Sequence, residues 1–148
     1  MSGITLLIED SKWRSHRGLM TRLTKAAQAA RRSTRLKGAF TILLAGDKKL
    51  RALNHDFRGK DKPTNVLSFP GADGYAGDIA IAYGVTKKEA KAAAKTFADH
   101  AAHLVVHGML HLAGYDHERP RDASVMEPLE VKILKRLGVA DPYAAASP

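Results

Sequence analysis

The stretch Ala39-Phe-Thr-Ile-Leu-Leu-Ala45 decides the fold class, because it is apolar at almost every position. A short run that is apolar on both alternating faces is typical of a strand buried on both sides of a sheet. Working outward from it, shorter apolar runs predict strands at residues 4–9, 65–69 and 78–83. The sequence therefore predicts a small sheet with this segment in its interior.

Helical patterns lie between and after these strands. Apolar residues at helical spacing predict an amphipathic helix from residue 13 to about residue 32. Asp47 is the expected N-cap of a helix that runs to about residue 58. Thr86-Lys-Lys-Glu89 matches a capping box, which predicts the start of helical sequence that continues to about residue 113, divided into two helices. A last helix is expected over residues 122–137, closed by Gly138.

The composition is that of an ordinary globular protein, with 148 residues, 45% apolar and 26% charged. Cysteine is absent, which excludes disulfides, thiolate metal sites and cysteine nucleophiles. No apolar run is long enough to span a bilayer, and the N-terminal residues do not resemble a signal peptide. We expect one soluble, cytoplasmic α+β domain over residues 1–143, with a mixed four-stranded sheet, four to six helices and a frayed tail at residues 144–148.

Basic residues are concentrated in the first half of the chain. Residues 1–62 carry 15 Lys and Arg against 5 Asp and Glu, and no acidic residue occurs between residues 11 and 46. This asymmetry favours a polyanionic partner, nucleic acid before any other, over a merely solvated surface. A membrane partner is disfavoured, because the first helix has few large apolar residues. The expected RNA-binding surface on that helix comprises Arg14, Arg17, Arg22, Lys25 and Arg32.

Three histidines have the spacing of a metal site. His107 and His111 are four residues apart and therefore share one face of a helix, and Gly114 ends that helix so that His117 can return to the same point. Three imidazoles with an open fourth position are typical of catalytic zinc, although they also suit nickel, copper or iron. The alternative is that these histidines only pack in the core. The apolar context and the terminating glycine favour the metal site.

The spacing H-x-x-x-H-x-x-G-x-x-H is also that of metzincin proteases. Those enzymes have glutamate directly after the first histidine, as the general base for the zinc-bound water. Here that position is Gly108, so the protease is only a minor alternative.

The segment His107-Gly-Met-Leu-His-Leu-Ala-Gly-Tyr-Asp-His117 resembles the H-G-x-L-H-L-x-G-Y-D-H motif of the bacterial YbeY family of rRNA maturation endoribonucleases. Residues 53–70 resemble the L-N-x-x-y-R-x-k-d-x-P-T-D-V-L-S-F-P block of that family. Gly77-Asp78-Ile79 and the pair Met126 and Glu130 match two further motifs. Two departures are Asn65, where the family often has Asp, and Glu127, where Phe is usual.

The resemblance implies a zinc-dependent, single-strand-specific endoribonuclease that processes the 3′ end of the small-subunit rRNA. It also implies association with the small ribosomal subunit and a role in ribosome quality control. By the same resemblance, one Zn²⁺ is held by His107, His111 and His117, and Arg58 acts beside the metal groove. We expect Arg58 and His107 to be the catalytic residues.

Elementary chemistry gives the remaining candidates their roles. Arg58 could hold a phosphate through two hydrogen bonds. An equally good alternative is that its charge only interacts with the last carbonyl groups of the helix that it ends. Ser68, on a predicted edge strand over residues 64–69, could contact substrate, whereas Val66 and Phe69 are expected in the core. The general base is unassigned: Asp116 and Asp78 are candidates, and the 2′-hydroxyl of the RNA could instead act as nucleophile.

Two other classes of function stay open at this point. The first is a ribosome-assembly factor that binds rRNA and whose metal is structural. The absence of a general base at Gly108 favours this alternative. The second is a zinc hydrolase with a small or peptide substrate. The sequence leaves the cleavage position, the oligomeric state and the protein partners open.

Overall fold

The computed structural model describes residues 3–144, and the α+β class with a four-stranded mixed sheet is confirmed. From 145 onward, the predicted tail lies outside the described residues. The strands are β1 (Ile4–Ile8), β2 (Ala39–Ala45), β3 (Val66–Pro70) and β4 (Tyr75–Ala82). The helices are a 3-10 helix (Ser11–Ser15), α1 (Leu19–Arg32), α2 (Asp47–Arg58), α3 (Tyr83–Ala92), α4 (Phe97–Leu112) and α5 (Pro120–Arg136).

The sheet has the strand order β1-β2-β4-β3. β2 lies between two parallel neighbours, β1 and β4, which explains its apolar sequence. β3 pairs antiparallel with β4, with Ser68 opposite Ile79, and forms an edge of the sheet as predicted. It ends at Pro70, a residue that lacks the N–H a central strand would need.

The two faces of the sheet pack against different helices. On one face, Phe40 and Ile42 of β2 are fully buried in a cluster that includes residues of α1, α4 and α5. On the other face, Ala45 packs with Leu50 of α2. This division places α4, which carries the histidines, against the sheet beside the edge strand β3. Among residues 3–144, no helix has the length and apolar character needed to cross a membrane.

The first predicted helix begins later than expected. Gly18 has φ 75°, a left-handed conformation that interrupts the helical path, so α1 starts at Leu19. Trp13 belongs to the separate 3-10 helix, where its Nε1 donates to the carbonyl oxygen of Ala45 at 2.9 Å. Arg14 and Arg17 therefore lie outside α1, and the prediction of five basic residues on one helix is wrong.

Two predicted caps are also wrong, because Asp47 binds a residue far along the chain and Thr86 lies inside a helix. Asp47 is the first residue of α2, and its Oδ1 accepts from the backbone N–H of Val85 at 2.9 Å. Thr86 lies inside α3, where its hydroxyl donates to the carbonyl of Ala82 at 2.6 Å. Glu89 accepts hydrogen bonds from Asn65 and His100 instead of capping a helix. The other boundaries differ by a few residues: β4 begins at Tyr75, and α5 spans Pro120–Arg136.

Candidate metal centre

The α4 helix and the turn after it bring three histidines together. His107 and His111 lie one turn apart on α4, and Gly114, with φ 100°, reverses the chain direction. Asp116 holds the turn by accepting from the backbone N–H of His117 at 2.7 Å. The ring centroids are 4.6–4.9 Å apart, and each ring offers a nitrogen within 4.8 Å of the other two. The predicted cluster of three imidazoles is therefore present.

Hydrogen bonds fix the tautomers of the two helical histidines. Nδ1 of His107 lies 2.9 Å from Oε2 of Glu130, and Nδ1 of His111 lies 3.0 Å from the carbonyl oxygen of Tyr115. Both partners are acceptors, so each Nδ1 carries a proton, and in a neutral ring the Nε2 then presents a lone pair. The two Nε2 atoms are 3.0 Å apart. Two lone pairs this close repel each other unless they share a cation, so this donor set fits a metal ion.

Glu130, on α5, is fully buried beside this centre. Burial alone would raise its pKa, but the contacts with His103 and His107 outweigh burial and lower the pKa to about 2. Tyr143 donates its hydroxyl to the other carboxylate oxygen at 2.5 Å. Burial and this hydrogen bond raise the pKa of Tyr143. Glu130 is therefore an anion that holds His107 in place.

His103 and His100 extend the row of histidines along α4. Nε2 of His103 lies 2.9 Å from Oε2 of Glu130, but the two atoms are not aligned for a hydrogen bond. Together with His107, these two residues form a second group that could hold a metal. Nε2 of His100 lies 2.9 Å from Glu89. Burial lowers the pKa of His100, while Glu89 opposes the shift.

His111 is held in its neutral form. Burial, followed by the neighbouring His107 and His117, lowers its pKa to about 4. The imidazole is therefore unprotonated at neutral pH, which is the form that binds a metal.

A groove of about 530 Å³ opens over the centre, along the edge strand β3. Its lining residues are His107, His111, His117, Arg58, Lys60, Thr64, Asn65, Val66, Ser68, Pro70, Gly114, Tyr115, Asp116 and Glu118. The structure thus brings Arg58 and Ser68 into one groove with the three histidines. The hydroxyl of Ser68 donates to the carbonyl of Gly108 at 3.0 Å. Val66 and Phe69 are half-buried and pack against the core from opposite sides of β3.

Gly108 faces the sheet and not the groove. A Cβ at this position would lie 3.0 Å from Cγ2 of Ile79 and 3.2 Å from the hydroxyl oxygen of Ser68. A side chain here would therefore crowd Ile79 and Ser68, and its Cβ would be directed at the sheet. This packing supplies a physical reason for the absence of the metzincin general base.

The two aspartates considered as a base have other partners. Asp116 lines the groove, but the backbone N–H of His117, and then that of Glu118, lower its pKa and use its Oδ1 in the turn. Asp78 is not among the residues that line the groove, and it accepts from the hydroxyl of Tyr75 at 2.5 Å. Glu118, to which no sequence motif pointed, lines the groove next to His117.

The predicted basic surface is only partly assembled. Arg22 forms an ion pair with Asp99 of α4, and its Nε is buried without a hydrogen-bond partner. Lys25 and Arg32 are exposed on α1, whereas Arg14 and Arg17 are exposed before it.

Sequence patterns give no role to three residues of the site, Lys60, Glu118 and Glu130. Lys60 lines the groove and lies within the block of residues 53–70 that resembles the family, but the pattern gives it no role. Glu130 was identified by a motif alone, without a role. Its contact with His107 depends on how α5 packs on α4, which no spacing within either helix reveals.

Fold and site together define a small α+β protein with a three-histidine centre in an open, partly basic groove. The sequence matches the family described as endoribonuclease YbeY over residues 8–138. It is 44% identical to "Endoribonuclease YbeY" of Maricaulis maris over the whole chain and 96% of that protein. It is 50% identical to the protein of that name from Chelativorans sp., over 86% of this chain and 83% of that protein.

One solved structure has a similar fold. The solution structure of TM1509 from Thermotoga maritima is similar, with a TM-score of 0.62 and 25% identity, over 96% of this chain and 99% of that chain. The chain therefore belongs to the endoribonuclease YbeY family.

Proposed function

We propose that this protein is a zinc-dependent, single-strand-specific endoribonuclease that matures the 3′ end of the small-subunit rRNA and serves ribosome quality control in the cytoplasm. One observation carries the proposal. Two histidines with fixed tautomers face each other beside a third, at the floor of a groove that Arg58 and Lys60 line. The relatives' name supplies the substrate class, RNA, and the small ribosomal subunit is the proposed partner.

His107, His111 and His117 would hold the ion. Bound zinc polarises a phosphoryl oxygen and lowers the pKa of water. Arg58 has a guanidinium that can bind a phosphate through two parallel hydrogen bonds and stabilise charge that develops on it. Glu130 keeps His107 oriented, and Ser68 fixes β3 against α4 through Gly108 while lining the substrate groove.

The nucleophile that we propose belongs to the RNA itself. Gly108 faces the sheet and Asp116 is engaged in the turn, so neither supplies a general base. The 2′-hydroxyl of the RNA would then attack the adjacent phosphorus and lose its proton to solvent, and the 5′-oxygen of the next nucleotide would leave and take up a proton from solvent. This reaction leaves a 2′,3′-cyclic phosphate and a 5′-hydroxyl. Products with only 3′-hydroxyl or 5′-phosphate ends would instead require an activated water.

The test is cleavage of a single-stranded RNA by the purified protein, before and after treatment with a chelator. The same RNA annealed to its complement serves as the double-stranded comparison. We expect cleavage of the single strand alone, loss with chelator and recovery with added zinc. His111→Ala should lose cleavage while it keeps its fold and RNA affinity, and His55→Ala, on exposed α2 surface, should keep all three. Cleavage by His111→Ala at the wild-type rate would contradict the proposal.

A non-catalytic ribosome-assembly factor is the second candidate, and the orientation of Gly108 favours it. In that case the metal would be structural, and the basic residues Arg14, Arg17, Lys25 and Arg32 would bind rRNA. Zinc-loaded wild type that binds single-stranded RNA tightly without cleaving it would establish this alternative. A hydrolase with a small or peptide substrate would instead bind that substrate without dependence on salt.

A further inference from the structure

A second cavity, of about 420 Å³, adjoins the metal groove. It lies between the end of α1 and the turn after α4, and the residues that line it are Arg32, Ser33, Thr34, Arg35, Ala113, Gly114 and Tyr115. We call it the arginine cleft. Gly114 and Tyr115 line the groove as well, so one turn of the chain forms a wall of both cavities.

The arginine cleft carries uncompensated positive charge. Arg32 and Arg35 are both exposed, and no acidic residue lines the cleft. Within residues 3–144, neither guanidinium group has an ion pair. Two neighbouring arginines differ from them. Arg22 pairs with Asp99, and Arg31 packs over the ring of Phe40, 5.7 Å from its centroid. The two cleft arginines are therefore available to an anion.

The backbone that carries these arginines is fixed by its own side chains. The hydroxyl of Ser33 donates to the carbonyl of Ala29 at 3.0 Å, and that of Thr34 donates to the carbonyl of Arg31 at 3.2 Å. The N–H of Leu36 in turn donates to Thr34 at 3.3 Å. The cleft is therefore a defined end of α1, and not a loosely held loop.

The path between the two cavities is open. Gly114 is exposed, and a Cβ built on it would meet no atom within 4 Å. A polymer in the groove can therefore pass over the turn into the arginine cleft. Guanidinium groups bind phosphate in a planar, two-pronged geometry, which suits a chain of phosphodiesters.

We propose that the arginine cleft binds the phosphodiester backbone of the RNA strand where it continues out of the metal groove, through Arg32 and Arg35. This inference rests on the proposed function, because it takes single-stranded RNA as the substrate. Of the basic residues in the first half of the chain, those at the end of α1 would contact the substrate strand.

Salt dependence of RNA binding tests the proposal. The probe is a fluorescent single-stranded 2′-O-methyl RNA, which cannot be cleaved by attack of a 2′-hydroxyl. Each phosphate contact to a single strand contributes about 0.7 to the slope of log Kd against log salt. The double variant Arg32→Gln/Arg35→Gln should therefore lose about 1.4 from that slope, with a weaker Kd at low salt. The control Lys87→Gln/Lys91→Gln removes the same charge from the exposed surface of α3, outside both cavities, and should change the slope less.

Cleavage kinetics give a second readout. The double variant should raise KM for a long strand and leave kcat unchanged, and it should alter neither constant for a dinucleotide, which cannot reach both cavities. If the slope of the double variant equals that of wild type, or if the control loses as much, the arginine cleft does not bind the strand. Cleavage by wild type in the same experiment would still support the proposed function. Wild type that neither binds nor cleaves single-stranded RNA would overturn the proposed function itself.

Discussion

Oε2 of Glu130 lies 2.9 Å from Nδ1 of His107, and Glu130 has no exposure to solvent. A carboxylate that accepts from the distal nitrogen of a ligating imidazole fixes the ring and makes its other nitrogen a stronger ligand. This contact joins α5 to the metal centre on α4. It makes the orientation of His107 depend on the packing of two helices.

Replacing Glu130 by Gln should weaken zinc binding about 10–100-fold, because the amide keeps the shape but loses the charge that orients His107. Competition for zinc with a coloured chelator measures this affinity. Glu127→Gln, on the same helix, is the matched control and should bind zinc like wild type. Equal affinity in the two variants would show that Glu130 does not act on the metal centre.

Acid should destabilise the metal-free protein in two steps. The pKa of His111 is lowered from 6.5 to about 4, and that of Glu130 from 4.5 to about 2. Both groups bind protons more readily in the unfolded chain, so stability falls as the pH falls. The contribution of His111 to the free energy of unfolding is complete above about pH 6.5 and is lost toward pH 4. That of Glu130 is complete above about pH 4.5 and is lost toward pH 2.

Thermal unfolding in chelator across this pH range measures the effect. His111→Ala should show a shallower fall of Tm between about pH 6.5 and 4 than wild type, because it lacks the group that titrates there. Identical curves for the two proteins would contradict the assigned shift.

Asn65 is a departure from the family pattern with a visible consequence. Its Nδ2 donates to Oε1 of Glu89 at 3.0 Å, and the same oxygen lies 2.9 Å from Nε2 of His100. Asn65→Asp would place two carboxylates together, and we expect a loss of about 1–3 kcal/mol in the free energy of unfolding at neutral pH. Urea denaturation measures it, and the loss should shrink in acid as a carboxyl becomes protonated.

Glu89→Gln provides the matching half of a double-mutant cycle. The amide that Glu89→Gln introduces can donate to the carboxylate that Asn65→Asp introduces, so the double variant should recover part of the stability lost in Asn65→Asp alone. Additive losses in the cycle would mean that these two side chains do not interact.

Arg58 is exposed at the end of α2 and lines the groove. Arg58→Ala should lower kcat/KM on single-stranded RNA about 10²–10³-fold if it stabilises charge on the reacting phosphate. Arg58→Lys should recover only part of this, because lysine lacks the two-pronged geometry. Lys49→Ala, an exposed cation on the same helix, should behave like wild type. A helix-capping role would instead reduce stability and leave the kinetics unchanged.

Local sequence predicted those parts of the fold whose causes are local. β2 could be predicted because its own residues are apolar on both faces, and α2 because its pattern ends at Arg58 before a glycine. The start of α1 could not be predicted, because Trp13 fits a helical stripe although its actual partner, the carbonyl of Ala45, lies 32 residues away. The prediction that Glu89 caps a helix is wrong for the same reason, because its partners are Asn65 and His100.

The same distinction holds for the site. The three histidines could be found by spacing, because they lie on one helix and the turn that follows it. Glu130 and Lys60 reach the centre from α5 and from the loop after α2, and only tertiary packing brings them there. The direction of Gly108 likewise depends on Ile79 of β4, which no spacing within α4 reveals.

The central claim is that His107, His111 and His117 hold the metal on which RNA cleavage depends. Native mass spectrometry of the zinc-loaded protein, with cleavage assays on the same samples, tests it most directly. We predict one zinc per chain in wild type and in His55→Ala, and neither zinc nor cleavage in His111→Ala and His117→Ala, with all four proteins folded. Cleavage of single-stranded RNA by metal-free His111→Ala at the wild-type rate would contradict the account.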